Sequence, residues 1–158
     1  MTTESFQDGL EQVRGHAHPN CAICSPSNER GLQLEFSADG DGSVQARFEC
    51  EAAFEGYASM LHGGVLASLM DGAMTNCMFA HGATALPAEL TVRYRHPVLI
   101  GTPATVRAWI DRSSPPLHVL KAEIVQGAQV KATACGKFME QNHLAPGKHR
   151  CQRIQLWA

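Results

Sequence analysis

Asp71 is the one charged residue in an apolar run that opens at His62 and continues as Gly63-Gly64-Val65-Leu66-Ala67-Ser68-Leu69-Met70-Asp71-Gly72-Ala73-Met74-Thr75-Asn76-Cys77-Met78-Phe79-Ala80. A carboxylate placed in a core without partners is pushed toward its protonated form or costs folding free energy. It is therefore either hydrogen-bonded by design or retained for chemistry. The opening His62-Gly63-Gly64 adds a second chemical element. Two glycines at a helix start leave backbone N–H groups uncovered, and there the helix dipole favours an anion or a developing oxyanion. A third set is His16, His18, Cys21 and Cys24, four zinc-capable side chains within nine residues. Its spacing differs from paired-knuckle sites, and a lone Cys-x-x-Cys is a weak signal, so no metal is expected there.

These residues need elements to hold them. An uninterrupted apolar segment without proline reads as a helix over 63–80, buried on nearly every face, with Gly82 as its stop. Before it, residues 6–15 suit a short helix and His16 to Arg30 an irregular loop. Leu32 to Phe36 and Val44 to Phe48 alternate with period two about an Asp39-Gly40-Asp41-Gly42 turn, which predicts a hairpin. After it, strands are expected at Leu90 to His96, Thr105 to Ile110, Leu117 to Val125 and Val130 to Met139, with Leu90, Val92 and Tyr94 sharing one face of the first. Two strands, one buried helix and four strands imply an α+β domain in which an antiparallel sheet of about six strands wraps one long central helix.

At 158 residues the chain suits one domain: a lead-in over 1–30, a core over 31–139 and an irregular tail over 140–158, which carries Lys148, His149, Arg150 and Arg153 and has a possible docking role in an oligomer. With 18% charged residues and a net charge of -2, it lacks the basic footprint of a nucleic-acid binder. The helix contains Asp71, Asn76, Thr75, Ser68 and three glycines, which favours a core helix over a membrane span. The polar, acidic first eight residues do not resemble a signal peptide, so a cytoplasmic location is expected and the six cysteines need not pair. Cys77 and Cys135, in apolar runs, are expected to be buried thiols.

The element order, with Asp71 nine residues after His62, resembles the hotdog-fold acyl-CoA thioesterases of the phenylacetate-degradation (PaaI-like) type. The resemblance covers most of residues 21–139. It rests on Cys21, Cys24, Gly31 and Leu32, on Phe54-x-Gly56-Tyr57, on His62-Gly63-Gly64-x6-Asp71, and on Tyr94-Arg95-His96-Pro97-Val98 before Gly101. It implies that Asp71 acts as general base or nucleophile on a thioester carbonyl, that a Gly63 or Gly64 backbone N–H forms the oxyanion hole, and that His62 shapes the site. Gly64 and Asp71 are ~10 Å apart along one helix, too far for both to reach one carbonyl. A homodimer with shared active sites is therefore expected, with pairing of dimers into a tetramer left open. Two positions depart from relatives: Gly56 stands where some carry an amide, and Pro87 where a hydroxyl often assists, with Asn76, Thr75, Thr84 or Ser68 as possible substitutes.

The substrate implied is a coenzyme A thioester, hydrolysed without a metal or redox cofactor. Met60, Leu61, Met70, Met74 and Met78 are expected to line the acyl pocket. Asn76 and Arg95 join Met70 and Met74 as expected substrate contacts. Arg93, Arg112, Lys121, Lys131 and Lys137 are further candidates for the coenzyme A phosphates. Two other readings of Asp71 and its fold stay open: a structural carboxylate bonded to backbone or to Arg93, and a non-catalytic dimer that binds an acyl or aromatic ligand. A hydratase of this fold is disfavoured because the chain lacks Asp-x-Asn-Pro-x-His.

Overall fold

The computed structural model describes residues 1–144. Helix α1 (Thr3–Ala17) is capped by the Thr2 hydroxyl, which accepts from Ser5 N–H. It buries Phe6, Leu10 and Val13, spaced for one helical face. After two residues of β1 (Ser37–Ala38) and β2 (Val44–Phe48) comes the central helix α2 (Gly63–Ala80), then β3 (Ala85–Tyr94), β4 (Ala104–Ser114), β5 (Leu117–Gln126) and β6 (Gln129–Glu140). All pairings are antiparallel, in the order β1-β2-β4-β5-β6-β3.

The sheet is built to admit a helix. Its inward positions carry many small residues, among them Ala104, Ala108, Ala122, Ala132 and Ala134, all buried. Gly136 leaves room for the helix: a Cβ there would meet Met74 Sδ and Phe138 Cε2 at 2.8 Å, so both side chains would have to shift. From Gly72 onward every residue of α2 is buried, as an apolar run of this kind demands. On the side away from the sheet α1 covers that half, with Gly9 so close that a Cβ would lie 2.9 Å from the Ala80 carbonyl oxygen. The first half of α2 differs. Gly64, Ala67, Ser68 and Asp71 form a stripe left only partly covered or exposed.

Several sequence expectations need correction. Leu32 to Phe36 forms no strand and does not pair with β2, and Gln33 within it has a left-handed φ of +48°. Leu32 and Leu34 N–H donate instead to Ala22 and Ile23 carbonyls, and the hairpin pairs only Ser37 with Gln45 and Ala38 with Val44. The alternation in 32–36 reflects burial of Leu34 and Phe36 against the core by a segment held by a loop. Cys77 is buried, but Cys135 is exposed, because the two-residue period of β6 puts it on the outer sheet face with Lys137. Glu140 ends β6 and a 3-10 turn spans Asn142–Leu144, so the irregular tail does not start at 140. The rest of that expected tail lies outside the described residues. Among the described residues no helix is long and apolar enough to cross a membrane.

Candidate active site

The start of α2 is organised around one peptide group. His62 is the N-cap in extended conformation, and its Nδ1 accepts from Gly64 N–H at 2.9 Å. The imidazole folds over Gly64, where a Cβ would lie 3.0 Å from Nδ1. On the other side of the same peptide, the Tyr94 hydroxyl donates to the Gly63 carbonyl at 2.9 Å. The Gly63 N–H makes no hydrogen bond among the described residues. Nothing in the protomer demands glycine at 63: a Cβ would meet the Tyr94 ring at an ordinary 3.5 Å. An open N–H at a helix start, with no side chain to shield it, is the geometry of an oxyanion donor.

Gly56, Tyr57, Leu61, His62 and Gly63 line a groove of about 340 Å³ at this helix end. Around it the surface is unusually apolar: Tyr57 is 84% exposed, Met60 39%, Tyr94 53% and Leu99 46%. Gly56 offers no amide, and a Cβ there would already crowd His62 at 3.1 Å.

Asp71 lies two turns along the open stripe. It is half-buried, and among the described residues its carboxylate has neither a hydrogen bond nor an ion pair. The alternative of a structural pair with Arg93 is therefore not realised in the protomer. Burial without a partner pushes the Asp71 pKa up from its ordinary 3.8. Such a carboxylate is a better base than a surface aspartate and is not committed to any neighbour.

The expected substrate contacts are dispersed. Met70, Met74 and Met78 are fully buried in the core, Met74 beneath the sheet at Gly136. They do not line the groove, because the helix face carrying them points to the sheet. Asn76 is also fully buried and donates through Nδ2 to the Gly72 carbonyl at 2.8 Å. It is not placed to replace a missing hydroxyl. Arg95 lines a shallow groove of about 280 Å³ with Arg93, Trp109 and Lys121 on the opposite face of the sheet. Lys121 and Lys137 are tied to Asp111 and Glu89 there, and Arg112 stands 3.8 Å from Asp111. Of the zinc-capable set, His18, Cys21 and Cys24 come together and His16 does not.

Two arrangements were missed from sequence. Alternation puts Tyr94 on the strand face of Leu90 and Val92, yet its bond to Gly63 depends on where β3 ends relative to α2, which no local pattern reports. Ser113, His118 and Glu140 form a chain through the His118 ring, 3.0 Å from the hydroxyl and 2.8 Å from the carboxylate. Cross-strand register brings them together.

The family model described as Thioesterase superfamily matches residues 58–133, which hold the His62 cap, Asp71 and β3 through the first residues of β6, together with part of the groove lining. Over that stretch, just under half of its length, the chain resembles the thioesterase superfamily. Solved structures share the fold. The thioesterase superfamily protein RHA08564 is 23% identical with a TM-score of 0.71, covering 75% of this chain; the chain spans only 62% of that protein's length. The PaaI protein of the E. coli phenylacetic acid degradation operon is 21% identical with a TM-score of 0.73, over 86% of this chain and 96% of that one. The smu.793 protein of Streptococcus mutans, solved with acetyl CoA bound, is 16% identical with a TM-score of 0.65, over 68% and 88%. Comparison with curated proteins gives no match.

Proposed function

We propose that this protein hydrolyses an acyl-CoA thioester to free coenzyme A and a carboxylic acid, in the cytoplasm and without a cofactor in the reaction. The observation that carries the proposal is the unpartnered carboxylate of Asp71 on the open stripe of a helix whose own start presents the Gly63 N–H. Water, deprotonated by Asp71, adds to the thioester carbon while the carbonyl oxygen accepts from Gly63 N–H. Collapse of the tetrahedral intermediate expels the coenzyme A thiolate, which takes up a proton. Asp71 acting as nucleophile, with an anhydride hydrolysed in a second step, uses the same placement. The S. mutans neighbour with acetyl CoA supports the substrate class.

The two groups belong to different subunits in this reading. Gly63 and Asp71 are eight residues apart, ~12 Å along the helix. β3 is the edge of the sheet and its last residue, Tyr94, touches Gly63. A second copy added along that ten-residue edge brings its own α2 alongside, covers the Asp71 stripe and pairs strand groups otherwise left open.

A second reading, a dimer that binds acyl-CoA without turnover, is favoured by two features: His62 Nδ1 occupies the Gly64 N–H, and Gly56 lacks an amide. The deciding experiment measures thiol release from short, long and aromatic acyl-CoA thioesters by wild type and Asp71→Asn, with folding of both confirmed. Turnover lost in the variant supports the hydrolase. Saturable binding without turnover in either protein supports the binding dimer.

A further inference from the structure

We propose that His18, Cys21 and Cys24 form a zinc site that fastens the loop after α1 to the flank of α2, contrary to the expectation from spacing alone. One ligand atom from each lies within 4.8 Å of the others. Cys24 Sγ and His18 Nδ1 are 3.7 Å apart. A tetrahedral Zn²⁺ at ordinary bond lengths sets its sulfur and nitrogen ligands ~3.6 Å from each other, so a single ion fits with only small side-chain rotations. Two sulfurs and one imidazole are a donor set that selects zinc over the hard cations.

The loop is built to hold this arrangement. His18 ends α1, its backbone N–H bonded to the Arg14 carbonyl, and its ring stands edge-on to Phe79 at 4.9 Å. Within Cys-x-x-Cys the Ile23 N–H donates to Cys21 Sγ at 3.3 Å, a contact that favours a thiolate. Fully buried Ser25 ties the turn by donating to the Pro19 carbonyl at 2.7 Å. His16 is set apart, its Nδ1 turned back to the Gln12 carbonyl.

An independent observation comes from α2. Asn76 is fully buried one turn along α2 from Gly72, the residue against which Ile23 packs, and its Oδ1 is the one buried side-chain polar atom among the described residues without a hydrogen-bond partner. A cation held by the three ligands gives that oxygen a role as the fourth donor. A Cys21–Cys24 disulfide explains neither the imidazole nor the carboxamide. The site has a consequence for Asp71: Ile23, between the two cysteines, packs on Gly72, where a Cβ would lie 2.5 Å from its Cγ2. The ion thus fixes the wall beside Asp71 without touching the groove. This inference does not depend on the thioesterase reading.

The test uses the full chain, purified under reducing conditions, stripped of metal and titrated with Co²⁺ and then Zn²⁺. The expected result is thiolate-to-cobalt charge transfer with the visible bands of a tetrahedral site, displacement by Zn²⁺ and about one zinc per chain. Asn76→Ala weakens zinc binding on the order of tenfold. His16→Ala leaves it unchanged, and the double variant Cys21→Ser/Cys24→Ser abolishes it. Absence of the cobalt–thiolate bands in reduced wild type, a measurement that needs no variant to fold, overturns the proposal. So does zinc affinity equal to that of the folded double variant.

Discussion

Tyr94 donates its hydroxyl hydrogen to the Gly63 carbonyl at 2.9 Å, so the end of the edge strand holds the first peptide of the central helix. His62 Nδ1 takes the N–H of the same peptide at 2.9 Å, and together they set the plane beside the open Gly63 N–H. Removing the phenol in Tyr94→Phe forfeits ~0.5–1.5 kcal/mol of hydrogen bonding, toward the low end because the ring is 53% exposed. The expected outcome is a small loss of melting temperature and a fall in kcat of roughly threefold to tenfold, larger than the change in KM. Steady-state kinetics beside a thermal melt check it.

Gly63 and Gly72 separate function from packing. A Cβ at 63 meets only the Tyr94 ring at 3.5 Å, whereas one at 72 meets Ile23 Cγ2 at 2.5 Å. Gly63→Ala should fold with wild-type stability or slightly better, as alanine favours the helix, and lose most turnover because the methyl shields the oxyanion donor. Gly72→Ala should lose ~1–3 kcal/mol of stability through overpacking. Denaturant titration of both, with turnover at saturating substrate, tells the two cases apart.

Asp71 predicts linked effects of pH on rate and stability. Burial raises its folded pKa above the ordinary 3.8, so the folded state holds its proton to higher pH than the unfolded chain does. Stability from this group is full below 3.8 and is lost as pH rises from there through the raised folded value. Activity runs the other way, rising as the carboxylate forms. Asp71→Asn should lose turnover by ~10²–10⁴-fold. It should also be no less stable at neutral pH and should lack that segment of the stability profile. Melts across the acid range on both proteins give the comparison, and an unchanged slope in the variant removes Asp71 from the account.

His62 is the N-cap as well as a wall of the groove. His62→Ala should cost about 1 kcal/mol through the lost acceptor at the helix start, while His62→Asn, which caps equally well, should keep most of it. If the imidazole matters only as a cap, turnover follows stability across the two variants. Chemical denaturation with parallel kinetics reads this out.

The central helix was legible because its pattern is long and local: an apolar run from Gly63 ended by Gly82, whose φ of +74° needs glycine. The later strands were legible for the same reason, each as an alternating stretch between turn residues. Leu32 to Phe36 misled because alternation reports which side is buried, not which backbone accepts the hydrogen bonds. The methionines misled because an all-apolar helix hides which of its faces meets the sheet. Asp71 was visible as an isolated charge, but its lack of a partner is a tertiary fact. The set His16, His18, Cys21 and Cys24 was visible as residue types, but that three of them converge while His16 turns away is a tertiary fact.

Shared sites make the sharpest prediction. In an isologous dimer whose site joins Gly63 of one subunit to Asp71 of the other, each single variant spoils both sites of its homodimer. Mixing Gly63→Ala and Asp71→Asn subunits by co-expression yields mixed dimers in which one site carries both lesions and the other carries neither. Random pairing makes half the dimers mixed, with one intact site in each, so activity should return to roughly a quarter of wild type from two nearly inactive parents. If both groups acted within one subunit, every site in the mixture would carry one lesion and activity would stay at the level of the parents. Sedimentation of the same mixture confirms that subunits have paired, so a failure to exchange is not mistaken for a site confined to one chain.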